Sequence, residues 1–104
     1  MTYSDYEYEI FSRQFILKVF SEQNIEKLEK SKVSIIGIGG IGCPLATYLV
    51  SSGIKYIQLI DGDIIEKSNL NRQILFTSDD IGQKKVTIAK KKLLRINPSC
   101  QIKI

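Results

Sequence analysis

An α/β fold built on a parallel sheet is what this 104-residue sequence predicts, and three observations carry the prediction. A β-branched run, Lys32–Ile38, is bounded by polar residues and glycine, as suits a strand buried on both faces of a parallel sheet. It enters a glycine cluster, Gly37-Ile38-Gly39-Gly40-Ile41-Gly42, from which a helical pattern leads to a second apolar run ending at Asp61. A further helical pattern over Lys84–Ile96 is followed by the start of a third strand at Gln101. Strand, helix, strand, helix, strand is the first βαβαβ half of a Rossmann-like parallel sheet, here preceded by N-terminal helices.

Each element has its own signal. Ser4, with Glu7 three residues later, forms a capping box that opens a short helix through Tyr6, Ile10 and Phe11, with Asp5 suited to its first turn. Beyond it, Phe11, Phe15 and Leu17 are expected to pack on a partner surface, which leaves Arg13 without a packing role. Ile25 and Leu28, spaced by three among charged residues from Ser21 to Ser31, make a short amphipathic scaffold helix. After the glycine cluster, Pro44 sits where a first helical turn tolerates it, Leu45, Ala46 and Leu49 form an inward stripe, and Gly53 ends the helix in a left-handed conformation. Ile54–Ile60 makes the second strand, so residues 32–61 form a βαβ unit of roughly 30 residues with a right-handed crossover. Residues 61–83 read as a loop with one helical turn; a loop of that length is functional when its large apolar residues argue against disorder. Val86, Ile88, Ala89, Leu93 and Ile96 then mark a helix stopped by Asn97-Pro98, and Gln101–Ile104 begins the third strand.

Composition, with 43% hydrophobic and 25% charged residues, is that of one ordinary globular domain. No apolar run approaches the ~20 residues of a membrane helix and the acidic N-terminus is unlike a secretory signal, so a cytoplasmic location without membrane contact is expected. Cys43 and Cys100 form neither a disulfide framework nor a zinc motif and read as reduced thiols. Much of the net charge of +4 lies in Lys84, Lys85, Lys90, Lys91, Lys92 and Arg95, read, with Lys85 set apart, as a solvated helix face rather than a nucleic-acid surface. There is no histidine, so the chemistry must run on charge stabilisation or on groups the substrate brings.

Gly37, Gly39 and Gly42 satisfy Gly-x-Gly-x-x-Gly between a strand and a helix, and Asp61 follows Gly42 by 19 residues, where an acid that binds ribose hydroxyls is expected. The plainer reading is a tight turn whose glycines only permit close packing; the acid favours a nucleotide. A dinucleotide oxidoreductase would use Asp61 but has no evident use for Asn69, Arg72, Gln73 and Lys85, whose donors could neutralise a triphosphate or a departing pyrophosphate. The plain alternatives are a surface Arg72 pairing with Asp79 or Asp80, and a solvated Lys85. A cation in a first helical turn opposes the dipole, however, so Lys85 calls for another reason.

Six stretches in this order resemble the MoeB/ThiF/HesA-like adenylyltransferases, which share a fold with the ubiquitin-activating enzymes. They are Ser12-Arg13-Gln14-Phe15, Ile36 to Gly42 with Cys43-Pro44-Leu45-Ala46, Asp61-Gly62-Asp63, Ser68-Asn69-Leu70-Asn71-Arg72-Gln73, Ile81-Gly82-Gln83-Lys84-Lys85 and Ile96-Asn97-Pro98. The resemblance implies ATP at the turn of Gly37, Gly39, Gly40 and Gly42, and attack on the α-phosphate by the C-terminal glycine carboxylate of a ubiquitin-like sulfur-carrier protein. It places Asp61 on the ribose, Asn69, Arg72 and Lys85 on phosphates, Asp63 and Gln73 in supporting roles, and Arg13 in a neighbouring subunit's site, hence a homodimer. Residues 1–31 would then be a subunit-contacting helical arm, and 32–104 the first half of an ATP-binding domain, truncated before the aspartate that binds Mg2+, the zinc-binding cysteine pairs and the carrier-gripping surface. Cys43 matches a position that is commonly small, which implies a buried structural thiol. An NAD-binding oxidoreductase domain and a non-catalytic dimerising or partner-binding fragment are the rival readings.

Overall fold

The computed structural model describes residues 4–17 and 22–104. Three helices come first, α1 (Asp5–Ile10), α2 (Ser12–Phe15) and α3 (Glu22–Lys30), followed by β1 (Lys32–Ile36), α4 (Gly42–Ser51), β2 (Tyr56–Ile60), α5 (Lys85–Ile96) and β3 (Gln101–Lys103). The sheet is parallel throughout, in the order β1-β2-β3. Register pairs Ile35 with Leu59 and Ile57 with Ile102, so the inward-facing residues of the three strands form one apolar surface. Cys43, Ala46 and Val50 of α4 and Ile88, Ala89 and Leu93 of α5 close over that surface as a single core. This is the α/β, Rossmann-like half-sheet that the sequence predicts.

Two expectations change. Lys32, Ser34 and Ile36 are exposed, so β1 is covered on one face only. Successive crossovers that run in one direction with one hand set both helices on the same side of a sheet. The other side carries an open cavity of about 750 Å³ lined in part by Ser34, Gln58 and Lys103. The inward stripe of α4 is Cys43, Ala46 and Val50 with Leu49 partly buried, whereas Leu45 faces outward.

The capping box of Ser4 and Glu7 opens α1 as expected. Phe11 and Ile25 then bury each other, with Phe15 alongside, in a small cluster separate from the main core. This arm is fastened to the turn after α4. Phe11 lies against Gly53, where an added Cβ would meet its ring at 3.4 Å; Gln14 Nε2 donates to Ser52 O at 2.8 Å; and Lys55 Nζ meets Glu7 Oε2 at 2.7 Å. Leu17, expected to pack, is half exposed. Gly53 adopts φ +101° and ends α4 as expected, the conformation that glycine tolerates best. At its far end α5 is stopped by Asn97, whose side chain donates to Val50 O at 3.3 Å and ties the two helices together.

Candidate functional site

The site lies at the carboxyl end of the strands, where the glycine turn leaves β1. Gly37 continues the ladder through its N–H to Ile60 O at 2.8 Å and then takes φ +93° to turn the chain. Gly42 must be bare, because a Cβ there would fall 1.9 Å from Gly37 O. That contact is what lets α4 begin directly above the strand end, so Gly42 has a packing role whatever else it does. In the first turn of α4 Cys43 N donates to Gly39 O at 3.0 Å and Leu45 N to Ile41 O at 3.1 Å, and Pro44 has no N–H, so backbone donors for an anion would have to come from the glycine turn itself.

Asp61 ties the two halves of the site together. Its Oδ2 accepts from Ile38 N at 2.7 Å and its Oδ1 from Asp63 N at 2.8 Å, which fixes the glycine turn against the loop after β2. Each carboxylate oxygen keeps lone-pair capacity for a further donor, such as a ribose hydroxyl.

The long loop of residues 61–83 is a built wall. Ile65 N donates to Gln83 O, Gly82 N to Ile65 O and Lys85 N to Asp63 O, all at 2.8–3.1 Å, so the loop's start and end pair with each other. It contains two 3-10 turns, Lys67–Asn69 and Ser78–Asp80, where one helical turn was expected. In the first, Asn69 Oδ1 accepts from Glu66 N at 2.8 Å, which commits the amide oxygen and leaves the NH2 to donate elsewhere. Asp63, Ile64, Glu66, Asn69 and Lys85 line a cavity of about 170 Å³. Lys85, for which a solvated helix face is the plain alternative to a phosphate-directed role, is only 6% exposed. Glu66 was not foreseen; its only sequence signal is a polar residue ahead of Ser68-Asn69, where it caps the 3-10 turn.

Arg72 and Gln73 cover the glycines. A Cβ on Gly40 would meet Arg72 Cγ at 3.6 Å, and one on Gly39 would meet Gln73 Nε2 at 3.9 Å. Arg72 is exposed and its Nη1 donates to Ser68 O at 2.9 Å and Asn71 Oδ1 at 3.0 Å. It does not pair with Asp79 or Asp80; Asp80 instead holds Lys92. Gln73 is 3% exposed, yet its Oε1 has no hydrogen-bond partner among the described residues. A buried amide oxygen left open beside a bare turn is an acceptor waiting for a donor.

The structure therefore brings Gly37, Gly39, Gly40, Gly42, Asp61, Asp63, Asn69, Arg72, Gln73 and Lys85 to one end of the sheet. Arg13 is not among them. It is exposed on the arm, beside the Gln14–Ser52 contact at the far end of α4. Ten residues of helix separate that end from the glycine turn, about 15 Å at the usual rise. Cys43 and Cys100 are both buried free thiols. Burial pushes the Cys43 thiol up against the opposing pull of Lys85, and burial pushes Cys100 to about 11. Among the described residues no group of three or more His, Cys, Asp or Glu side chains could hold a metal ion, and no helix is long and apolar enough to cross a membrane.

Residues 11–104 match the ThiF family. The chain is 48% identical over 103 residues to a probable molybdopterin-synthase adenylyltransferase of Porphyra purpurea, covering 99% of this chain and 27% of that protein. Among solved structures it is 45% identical to E. coli MccB determined with ATP, with TM-score 0.74 over 75% of this chain and 23% of that one. It also aligns with the E. coli tRNA N6-threonylcarbamoyladenosine dehydratase TcdA at 29% identity and TM-score 0.90, over 99% of this chain and 42% of that one.

Proposed function

The chain belongs to the ThiF family, and from that premise we propose that its glycine turn binds ATP for adenylylation of the C-terminal glycine carboxylate of a ubiquitin-like sulfur-carrier protein. The observation that carries the reading is Lys85, buried with the committed amide of Asn69 in a cavity formed by the loop after β2 and the start of α5. Two donors held away from bulk water suit the phosphate oxygens of a nucleotide, and at about 170 Å³ the cavity suits a part of the ligand rather than all of it. A dinucleotide oxidoreductase gives these donors no task. The same kind of reaction is consistent with the relative named a molybdopterin-synthase adenylyltransferase and with the MccB structure that holds ATP.

In the proposed reaction an ionised carboxylate oxygen of the carrier forms a bond to the α-phosphorus, and the bond from that phosphorus to the bridging oxygen breaks. Acyl-adenylate and pyrophosphate leave. No proton has to be removed, which fits a sequence without histidine. Asp61 would hold the ribose, the glycine turn the phosphates, and Asn69, Lys85 and Arg72 the charge that passes to pyrophosphate. The open Oε1 of Gln73 would accept from a ligand hydroxyl, amide or bound water, since phosphates themselves offer no donor. Magnesium would polarise the phosphates; the carboxylates that line this cavity are Asp63 and Glu66. Arg13 would act in the site of a second copy, which makes a homodimer part of the proposal.

The test is exchange of labelled pyrophosphate into ATP by the full-length protein with candidate carriers that end in glycine. Exchange that requires the carrier and stops when its terminal glycine is removed supports the reading. NAD binding without ATP binding, or exchange with no carrier at all, overturns it.

A further inference from the structure

Arg72 stands on the surface, yet its side chain is held at both ends. Its stem crosses the bare Gly40, with Cβ, Cγ and Cδ all within 4.0 Å of where a Cβ on that glycine would fall. At its tip, Nη1 donates to Ser68 O at 2.9 Å and to Asn71 Oδ1 at 3.0 Å, which uses both hydrogens of that nitrogen. The remaining donors of the planar guanidinium, on Nη2 and Nε, stay open, and no described residue accepts from them.

The orientation of Asn71 follows from what it faces. A guanidinium only donates, so the atom of Asn71 that meets Nη1 is the amide oxygen, and its NH2 is left over. Asn69, two residues earlier, is settled in the same way by Glu66 N at 2.8 Å. Both asparagines of the loop are thus fixed through their oxygens by donors of the loop itself. Beneath them the loop is anchored: Leu75 and Phe76 are buried in the sheet core, Leu70 packs against it, and Gln73 N donates to Asn69 O at 2.9 Å. Ser68 O and Asn71 Oδ1 are therefore acceptors on a fixed support, and the guanidinium they share is held before any ligand arrives.

We infer that Asn71 is a positioning residue: it pins one nitrogen of Arg72 so that the other two meet the β- and γ-phosphates of the nucleotide already oriented. The inference rests on the proposed function for the task of Arg72, and on the two hydrogen bonds for the pinning. An exposed arginine left unpinned loses rotamer freedom when a ligand fixes it, and a group held in place beforehand avoids that loss. Ser68 contributes through its backbone carbonyl, which no substitution removes, so Asn71 is the part of the pin that side-chain chemistry decides. Gly40 supplies the other end, since a side chain there would lie against the Arg72 stem.

The test is a double-mutant cycle in the full-length protein, with Asn71→Ala, Arg72→Ala and the two together, read as ATP affinity, AMP affinity and melting temperature. Asn71→Ala is expected to weaken ATP binding about fivefold, as loss of one hydrogen bond to a charged group implies. Its AMP affinity should stay within about twofold of wild type and its melting temperature should not move, because Asn71 is exposed and AMP lacks the phosphates that Arg72 serves. With Arg72→Ala already present, Asn71→Ala is expected to change ATP affinity no further. Unchanged ATP affinity in Asn71→Ala, an equal loss of ATP and AMP affinity, or a loss that persists in full beside Arg72→Ala would overturn the pin. A wild type that binds no ATP overturns the proposed function, and this inference with it, whereas a wild type that binds ATP no better than Asn71→Ala overturns the pin alone.

Discussion

Lys85 departs furthest from what its chemistry prefers. The residue is 6% exposed and its ammonium has no ion pair among the described residues, although Asp63 and Glu66 line the same cavity. Folding alone gives no reason for that, since replacing a buried charge with an apolar side chain of similar volume is commonly neutral or stabilising. A ligand that brings negative charge does give one. The two cases separate in Lys85→Met. Its melting temperature should equal or exceed that of the wild type, while ATP affinity falls about tenfold or more, as loss of a charge-assisted hydrogen bond of about 1.5–3 kcal/mol requires. A destabilised variant that binds ATP normally would make Lys85 part of the scaffold.

At the scale of the element, the glycine turn divides its glycines between two tasks. Gly42 is there for the fold, since nothing can be placed 1.9 Å from Gly37 O, whereas a Cβ on Gly40 meets only the flexible stem of Arg72 at 3.6 Å. Gly42→Ala should therefore cost several kcal/mol, at or above the roughly 1–3 kcal/mol of ordinary overpacking, and lower thermal stability sharply. Gly40→Ala should leave stability within about 0.5 kcal/mol, the range of a surface change, and weaken ATP binding instead. Calorimetry and nucleotide titration on the pair give the answer, and equal stability losses would defeat the division. The sequence made this turn readable because its signals are local: glycine spacing, the distance to Asp61, the Ser4 and Glu7 cap, the stop at Asn97-Pro98. What it concealed was set by partners distant in the chain. The burial of Lys85 depends on a loop that pairs its own ends through Ile65 and Gln83. Leu45 reads as inward because a helix apolar on both sides gives no polar face to orient it. Lys32–Ile38 reads as covered on both faces because β-branched composition does not say whether a second layer is present.

At the scale of the whole molecule, the two hydrophobic clusters differ in how they are held. The sheet core is apolar throughout, whereas the arm depends on Phe11 over Gly53, one amide contact from Gln14 to Ser52, and the ion pair of Glu7 with Lys55. Burial alone would raise the Glu7 carboxyl, but Lys55 and the Ser4 cap outweigh it and hold it below its usual 4.5. The carboxyl of Asp80 is likewise held below its usual 3.8, where burial is outweighed by Lys92 and the Thr77 cap. A carboxyl with a lowered folded value contributes stability that is fully present above its unfolded value and is lost as pH falls through the folded one. Both contributions are thus intact above pH 4.5 and disappear below it. Hydrogen exchange after brief acid exposure should show the amides of α1 and α2 losing protection first, with those of β1 and β2 still closed, because the sheet's core contains no titrating pair. Glu7→Gln should lose arm protection at neutral pH and show no further acid step there. If the arm of the wild type stays protected as pH falls below the folded value of Glu7, or if arm and sheet open together, the ion pair is not what fastens the arm, and its hold on the α4 end rests on Phe11 and the Gln14–Ser52 contact.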